Sequence, residues 1–152
     1  MNSVWVTPIT DRSLADVNGL KANPGMSVRS KGAMNNADLN RIGNNMLYLM
    51  ERLQVYGYDV QLSDVKKDWK RKDFPYKDEF EKIRKNIEAL KEGYYVLAGT
   101  PELDWEDTFD WDDANDIEQN LLNLKILFER MVAGFRMCGG FSFYTGSEGV
   151  LP

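Results

Sequence analysis

Apolar residues recur at alternating steps of three and four along three stretches of the chain, which places them on one face of a helix. The three sets are Leu39, Ile42, Met46, Leu49 and Leu53; Phe80, Ile83, Ile87, Leu90 and Tyr94; and Ala114, Ile117, Leu121, Leu124, Phe128, Met131 and Phe135. They predict helices over about residues 36–56, 78–95 and 112–137, and therefore an all-α fold. The third helix keeps a 3.5-residue repeat throughout, which predicts a narrow seam packed along its whole length.

Capping residues mark the expected ends of these helices. Asn35 or Asn36 can cap the first helix, because a short amide accepts a hydrogen bond from a first-turn N–H group. Gly57 can end that helix in the left-handed conformation. Asp78 and Glu81 predict a capping box at the start of the second helix.

The three helices share a sequence frame, which indicates an internal repeat. The frame reads acid, x, x, x, Ile, x, x, Asn, apolar, x, x, Leu, and its asparagines are Asn45, Asn86 and Asn120. Each asparagine lies at the edge of the apolar stripe, where its amide can hydrogen-bond to a neighbouring helix or loop and fix the register. The alternative is a shared ancestry without a present role. Either reading indicates duplication of a helical unit.

The segments outside the helices are long and rich in aromatic residues. Alternation over Tyr56–Leu62 predicts a short strand or a docked extended segment. Residues 1–30 are expected to form an extended arm with a weak helix at about 11–21. Residues 138–152 are expected to form an extended arm with strand character that docks on its own domain or on another subunit; its aromatic residues are Phe141, Phe143 and Tyr144. The whole chain, 1–152, is expected to be one domain.

Composition limits the chemistry that this chain can perform. The 152 residues include no His and one Cys, so there is no His-based catalytic relay, no His-containing metal site and no internal disulfide. Cys138 is expected to be a small buried or interface thiol. Catalysis would have to use other groups such as a pair of carboxylates, as in a cell-wall hydrolase accessory. The chain has 24 acidic residues, however, so pairs of carboxylates arise commonly by chance. The sequence therefore favours a non-enzymatic protein without a cofactor.

Charge is unevenly distributed around a net value of −5. Nine carboxylates and no Lys or Arg fall between Glu102 and Glu118, while five basic residues fall within seven positions: Lys66, Lys67, Lys70, Arg71 and Lys72. A generic nucleic-acid binder is excluded, because it needs a dominant positive surface. The two segments are either solvated faces or complementary contacts between subunits or neighbouring proteins.

The acidic segment lacks the features of a metal site. The calcium-loop pattern fails after Asp112, because Ala114 follows and no Gly comes next. A helix N-terminus favours carboxylates electrostatically, so these residues need no metal. We therefore predict that the chain binds no metal ion.

Three tryptophans outside the helical seams, Trp69, Trp105 and Trp111, are candidates for a carbohydrate-binding surface. Stacking on sugar rings would make the protein a receptor-binding protein for host-surface glycans. The alternative, which the pattern favours, is that these side chains pack over helix ends. No window is long and apolar enough for a membrane span, and no secretory signal opens the chain, so we expect a soluble protein without a membrane partner.

Several segments together resemble a known family of proteins. They are W-V-T-P-I-T-D-R-S-L-A-D-V-N at 5–18, K-G-A-M-N-N-A-D-L-N-R-I-G-N-N at 31–45, D-F-P-x-x-x-E-F-x-x-I-R-x-N-I at 73–87, W-x-D-A-N-D-I-E at 111–118 and R-M-x-x-x-F-R at 130–136. In combination they are similar to small tail-associated structural proteins of bacteriophages and prophages of Gram-positive bacteria. Two departures are a shorter spacer at 19–30 and Gly43 in place of a common Glu.

This resemblance covers nearly the whole chain and carries no catalytic motif. It implies a structural or adaptor role near the tail tip, the baseplate or the fibre attachment of a virion, after synthesis in the host bacterial cytoplasm. The implied partners are other tail or baseplate proteins and further copies of the chain.

Overall fold

In the part of the chain that the structure describes, the regular structure consists of four α-helices and one turn of 3₁₀ helix at Pro24–Met26. A computed structural model describes residues 3–26, 30–106 and 108–139. The helices are α1 (Leu14–Ala22), α2 (Asn36–Val55), α3 (Lys77–Gly93) and α4 (Trp111–Gly139). The predicted all-α fold is confirmed, and none of the described residues lies in a β-strand.

The ends of α2 follow the capping signals in the sequence. The Asn35 side chain accepts hydrogen bonds from the N–H groups of Ala37 and Asp38, and Asp38 accepts one from the Asn35 N–H in return. At the other end Gly57 has φ +88°. Its N–H group and that of the next residue donate to the last carbonyls of the helix, which is a Schellman motif.

The predicted capping box of α3 is wrong. Tyr76 occupies the N-cap position and makes no side-chain capping bond, so Asp78 lies inside the first turn. There its carboxylate complements the positive end of the helix dipole without capping it. The predicted weak first helix also starts later than expected, because Ser13 is the N-cap of α1.

Helices α2 and α4 run parallel to each other. Near their starts, Arg41 of α2 forms an ion pair with Glu118 of α4. Towards their far ends, Tyr56 packs edge-on against Phe128, with ring centroids 5.4 Å apart. The same order of contacts along both helices fixes their common direction.

Helix α3 has the same direction as α4. Phe80 in its first turn stacks on Phe109, two residues before α4 begins. At the opposite end, the Tyr94 hydroxyl donates a hydrogen bond to the Leu127 carbonyl. Parallel helices require each connection to travel back along the bundle, which explains why the connections are long.

Three extended segments return along the bundle and fill its grooves. The N-terminal segment (residues 3–12) contacts both α2 and α4. The middle segment (residues 58–70) contacts α2 and α3. The third segment (residues 94–106) contacts α3 and α4. Each of the three helix pairs therefore encloses one extended segment.

The core consists mainly of the predicted apolar stripes, joined by buried residues of the extended segments such as Val60, Trp69 and Trp105. Seam residues of α4 from Ala114 to Phe128 are buried. Phe135, in contrast, is 43% exposed. The prediction that α4 packs along its whole length is wrong for its last turns, because α2 has already ended at Val55.

Candidate functional site

Two asparagines of the repeat hold extended segments against their helices. Asn45 accepts a hydrogen bond from the Val6 N–H at 2.9 Å and donates one to the Val6 carbonyl at 2.7 Å. Asn86 does the same with Ser63, at 3.0 Å for both bonds. Each side-chain amide therefore pairs with the backbone as a neighbouring strand would. Of the two alternatives predicted for 56–62, a short strand or a docked extended segment, the structure has the second: no residue of this range lies in a strand, and the Gln54 side chain donates a hydrogen bond to the Val60 carbonyl.

The third repeat asparagine makes only half of this arrangement. Asn120 donates to the carbonyls of Pro101 at 2.9 Å and Asp116 at 2.8 Å. Its Oδ1 atom is buried without a hydrogen-bond partner. Proline has no N–H group, so the residue that Asn120 faces cannot donate to it.

A second pair of asparagines, not identified from the sequence, works in the same way. Asn40 binds the N–H and carbonyl of Trp69 at 2.6 and 3.0 Å. Asn115 binds those of Arg12 at 3.0 and 2.9 Å. Asn40 and Asn115 each lie five residues before a repeat asparagine, so two of the three copies of the repeat have an asparagine at this position. The middle copy has Glu81 at the equivalent position, which interrupts the pattern.

Four charged side chains form a buried network near the starts of α2 and α4. Arg12 pairs with Glu118 at 2.7 Å and with Asp38 at 3.2 Å. Arg41 approaches the same two carboxylates at 2.6 Å each. The Glu118 side chain is fully buried and also accepts a hydrogen bond from the Ile9 N–H at 2.9 Å.

This network has the properties of a structural element. Two cations face two anions, so the buried charges balance. Burial lowers the pKa of Arg41, but the hydrogen bonds and charges of Glu118 and Asp38 outweigh it and raise that pKa overall. Glu118 uses both carboxylate oxygens in hydrogen bonds. The network joins the N-terminal segment, α2 and α4.

Two of the candidate tryptophans belong to the core. Trp69 is buried, and the Lys66 ammonium lies 4.2 Å from its ring centroid. Trp105 is also buried, with the Arg84 guanidinium 4.3 Å from its ring centroid. Trp111 is half-buried at the start of α4. The first two indoles therefore pack in the interior and are not exposed for stacking on sugar rings.

The basic segment is mostly solvent-exposed. Lys66 contacts Trp69 and pairs with Asp73 at 3.4 Å. The other basic residues of the segment are exposed, and their side chains form no ion pair with another described residue: Lys67, Lys70, Arg71 and Lys72.

The acidic segment divides between structural and unpaired carboxylates. Glu118 belongs to the buried network, and Asp110 caps α4 by accepting hydrogen bonds from the N–H groups of Asp112 and Asp113. Burial, together with the charge of four other aspartates, raises the pKa of Asp116 to about 6. These four are Asp112, Asp113, Asp104 and Asp110.

Across 3–26, 30–106 and 108–139, no cluster of three or more carboxylate or thiol side chains has a geometry that could hold a metal ion. None of the helices in these ranges combines the length and apolar character needed to cross a bilayer.

One end of the bundle exposes a set of large apolar side chains. They lie at or just beyond the C-terminal ends of α2, α3 and α4, and we call them the apolar end: Val55, Tyr56, Tyr95, Val96, Phe135 and Met137. A groove of about 600 Å³ opens beside them between α2 and α4. Tyr56 stacks on Phe135 at the edge of this groove, with ring centroids 6.1 Å apart.

Three of the predicted interaction residues, Phe141, Phe143 and Tyr144, lie outside the described residues. Of the residues that sequence reasoning missed, Arg12 gave no signal, because it lies beside a weak helix and far from its partners in the chain.

Comparison with known proteins adds no relative, since no family model, no curated protein and no solved structure matches this chain.

Proposed function

We propose that this chain is a non-enzymatic structural or adaptor component of a bacteriophage tail, at the tail tip, the baseplate or the fibre attachment. It acts by binding other tail proteins and further copies of itself. Two arguments support the proposal. One is the resemblance of segments across nearly the whole sequence to tail-associated proteins, and the other is the exposed apolar end.

The apolar end is the observation that carries the assembly role. Val55 is 76% exposed, Met137 69% and Tyr95 63%. Exposed apolar side chains gathered at one end of a bundle favour protein–protein contact there, because burying them removes unfavourable contact with water. The last turns of α4 extend this surface beyond the packed core, so a partner can reach it without unfolding the bundle.

The test uses the virion itself. Mass spectrometry of purified particles, combined with immunogold electron microscopy, is expected to find the chain at the distal end of the tail. Its absence from virions would refute the proposal.

The apolar end is tested by exposed-site substitutions in a phage that depends on a plasmid copy of the chain. Val55→Glu with Met137→Lys is expected to leave the protein folded and to reduce its incorporation into particles at least tenfold. Leu14→Lys is the matched control, since Leu14 is 57% exposed on α1, away from this end. Equal incorporation of both variants would contradict a role for the apolar end.

A further inference from the structure

A groove of about 310 Å³ opens between the start of α2 and the turn that precedes α3. Residues 33–37, which lead into α2 and form its first turn, line it on the side of that helix. The turn contributes Lys70, Arg71, Asp73, Phe74 and Pro75. Helix α2 has 20 residues and is therefore about 30 Å long, so this groove lies far from the apolar end.

The lining of this groove has the composition of a protein-binding surface. Phe74 is 75% exposed, although large apolar side chains are more often buried. Met34 and Arg71 line the same groove. Aromatic residues, Met and Arg are the types that are enriched in protein–protein interfaces. The groove therefore offers an apolar contact and a cation to the same ligand.

The positive charge around the groove is not neutralised within the described chain. Positions 66–73 hold five basic and two acidic residues, a net charge of +3. Of the acidic pair, Asp73 pairs with Lys66 at 3.4 Å and accepts a hydrogen bond from the Lys70 N–H at 2.9 Å. The side chains of Lys70 and Arg71 form no ion pair with any described residue. The first turn of α2 adds the positive end of a helix dipole.

The charge of the groove selects an acidic ligand, and its size selects a short segment. Opposite charges across an interface speed association and suppress wrong partners. A volume of about 310 Å³ is at the low end of the range for ligand pockets, about 300–1,000 Å³, so it suits a few side chains. A nucleic acid fits less well, because it requires a dominant positive surface and this chain has a net charge of −5.

We propose that this groove docks an acidic segment of a partner protein, in which one apolar side chain is flanked by carboxylates. The apolar side chain packs against Phe74 and Met34, and the carboxylates lie opposite Lys70 and Arg71. The inference rests on the proposed function in that the partner is a neighbouring protein of the tail. It adds a second contact surface, at the opposite end of α2 from the apolar end.

The test uses the full chain and a synthetic probe of the stated chemistry. The probe is a short fluorescein-labelled peptide in which one phenylalanine is flanked on both sides by aspartate and glutamate. Fluorescence anisotropy is expected to give a Kd of about 0.1 mM or tighter at low salt, and weaker binding as salt is raised. Replacing the acidic residues of the peptide by their amides, or its phenylalanine by alanine, is expected to reduce the affinity at least about tenfold.

Matched variants of the chain locate the binding site. Lys70→Ser with Arg71→Ser is expected to weaken peptide binding at least about tenfold. Lys21→Ser with Lys85→Ser removes the same charge from exposed lysines that do not line the groove, and is expected to bind as the wild type does. Phe74→Ala is expected to weaken only the peptide that contains phenylalanine, since the alanine peptide has no ring to pack there. Circular dichroism of each variant verifies that it is folded.

Three results would overturn the proposal. The first is an acidic peptide that fails to bind at about 1 mM. The second is an equal loss of affinity in the two serine variants, which would place the binding elsewhere. The third is a different occupant: a single-stranded DNA oligonucleotide of the same charge that binds more tightly than the peptide, or self-association of the wild type that Phe74→Ala abolishes.

The tail assignment and the groove fail in distinguishable ways. Peptide binding by a chain that is absent from virions would retire the tail assignment and keep the groove as an acidic-peptide site. A chain that is found in virions and binds no peptide would do the reverse.

Discussion

Single residues decide how closely the extended segments approach the helices. A Cβ atom at Gly43 of α2 would lie 2.2 Å from the Lys66 carbonyl oxygen, far inside contact distance. The backbone of the middle segment therefore occupies the space that a side chain would need.

Alanine at two helical glycines is expected to act in opposite directions. Gly43→Ala forces the middle segment away and is expected to cost about 1–3 kcal/mol of unfolding free energy. Gly134→Ala in α4 has open space around the new Cβ atom and is expected to add about 0.5–1 kcal/mol through helix propensity. Urea denaturation of both variants measures the difference, and equal shifts would contradict the close approach.

The charge state of Asp116 is expected to make stability depend on pH. The folded chain holds the proton up to a pKa of about 6, compared with the ordinary value of 3.8. Between these values the folded state binds more protons than the unfolded state, so stability from this group falls as the pH rises from about 4 to 6. Well above pH 6, Asp116 is ionised in both the folded and the unfolded state, so its contribution to stability no longer changes with pH.

Asp116→Asn is therefore expected to stabilise the protein at pH 7.5, on the order of 1 kcal/mol after allowance for solvent screening, and to have no effect near pH 4. Thermal unfolding at the two pH values tests this. A stabilisation that is equal at both would show that the charge of Asp116 is not its cause.

At the scale of elements, the repeated unit is an extended segment followed by a helix. In each unit, the repeat asparagine of the helix binds the backbone of the extended segment that comes before that helix in the chain. The three asparagines are Asn45, Asn86 and Asn120. Side-chain amides thus replace the strand neighbours that extended backbone normally requires. An all-α chain can hold three extended segments for this reason.

Loss of one asparagine is expected to release its own segment. Asn86→Ala removes both side-chain bonds to the Ser63 backbone and is expected to cost about 1–3 kcal/mol, because two bonds are lost and the Asn86 side chain itself is buried. Hydrogen exchange at the Ser63 amide is expected to accelerate. Asn44→Ala, which loses an exposed bond to the Val4 carbonyl and a long one of 3.5 Å to Asn45 Oδ1, is the control with less than about 1 kcal/mol. Unchanged exchange at Ser63 would contradict this role of Asn86.

The sequence predicted the helices well and their packing partners poorly. Periodic apolar positions such as Ile42, Ile87 and Ile117 identified three helices that the structure contains. Local caps such as Asn35 and Gly57 were readable because their partners lie within a few residues. Tyr76 as the N-cap of α3 was not readable, since it forms no capping bond that a sequence rule could detect.

Contacts between distant parts of the chain left weaker traces. The buried charge network joins residues 106 positions apart, Arg12 and Glu118, and no local pattern indicates that they pair. The parallel direction of the helices also depends on where the long connections lie, which periodicity does not report. The repeat frame did contain Asn40 and Asn115, but Glu81 interrupts the pattern in its middle copy.

At the scale of the whole molecule, the charge network closes the bundle. It joins the N-terminal segment to α2 and α4, so it connects the first unit to the last. Removing one partner of a balanced buried set leaves an uncompensated charge, and this costs more than the set contributes when intact.

Glu118→Gln is expected to destabilise the protein by about 3–5 kcal/mol, because Arg12 and Arg41 would then share the single carboxylate of Asp38. Glu129→Gln is the control: its ion pair with Lys125 is at the surface, and the expected change is below about 0.5 kcal/mol. Chemical denaturation compares the two variants. A Glu118 effect as small as that of Glu129 would show that the network does not hold the units together.

The groove that holds the N-terminal segment is completed late in the synthesis of the chain. Its wall residues Asn115 and Glu118 are synthesised more than one hundred residues after Arg12, which they bind. At about 5–20 residues per second, the segment waits several seconds for that wall to emerge from the ribosome. The helix that completes the groove is α4, which also carries Phe135 and Met137 of the apolar end. A chain whose translation stops before α4 therefore lacks both the last wall of this groove and the part of the apolar end that α4 supplies.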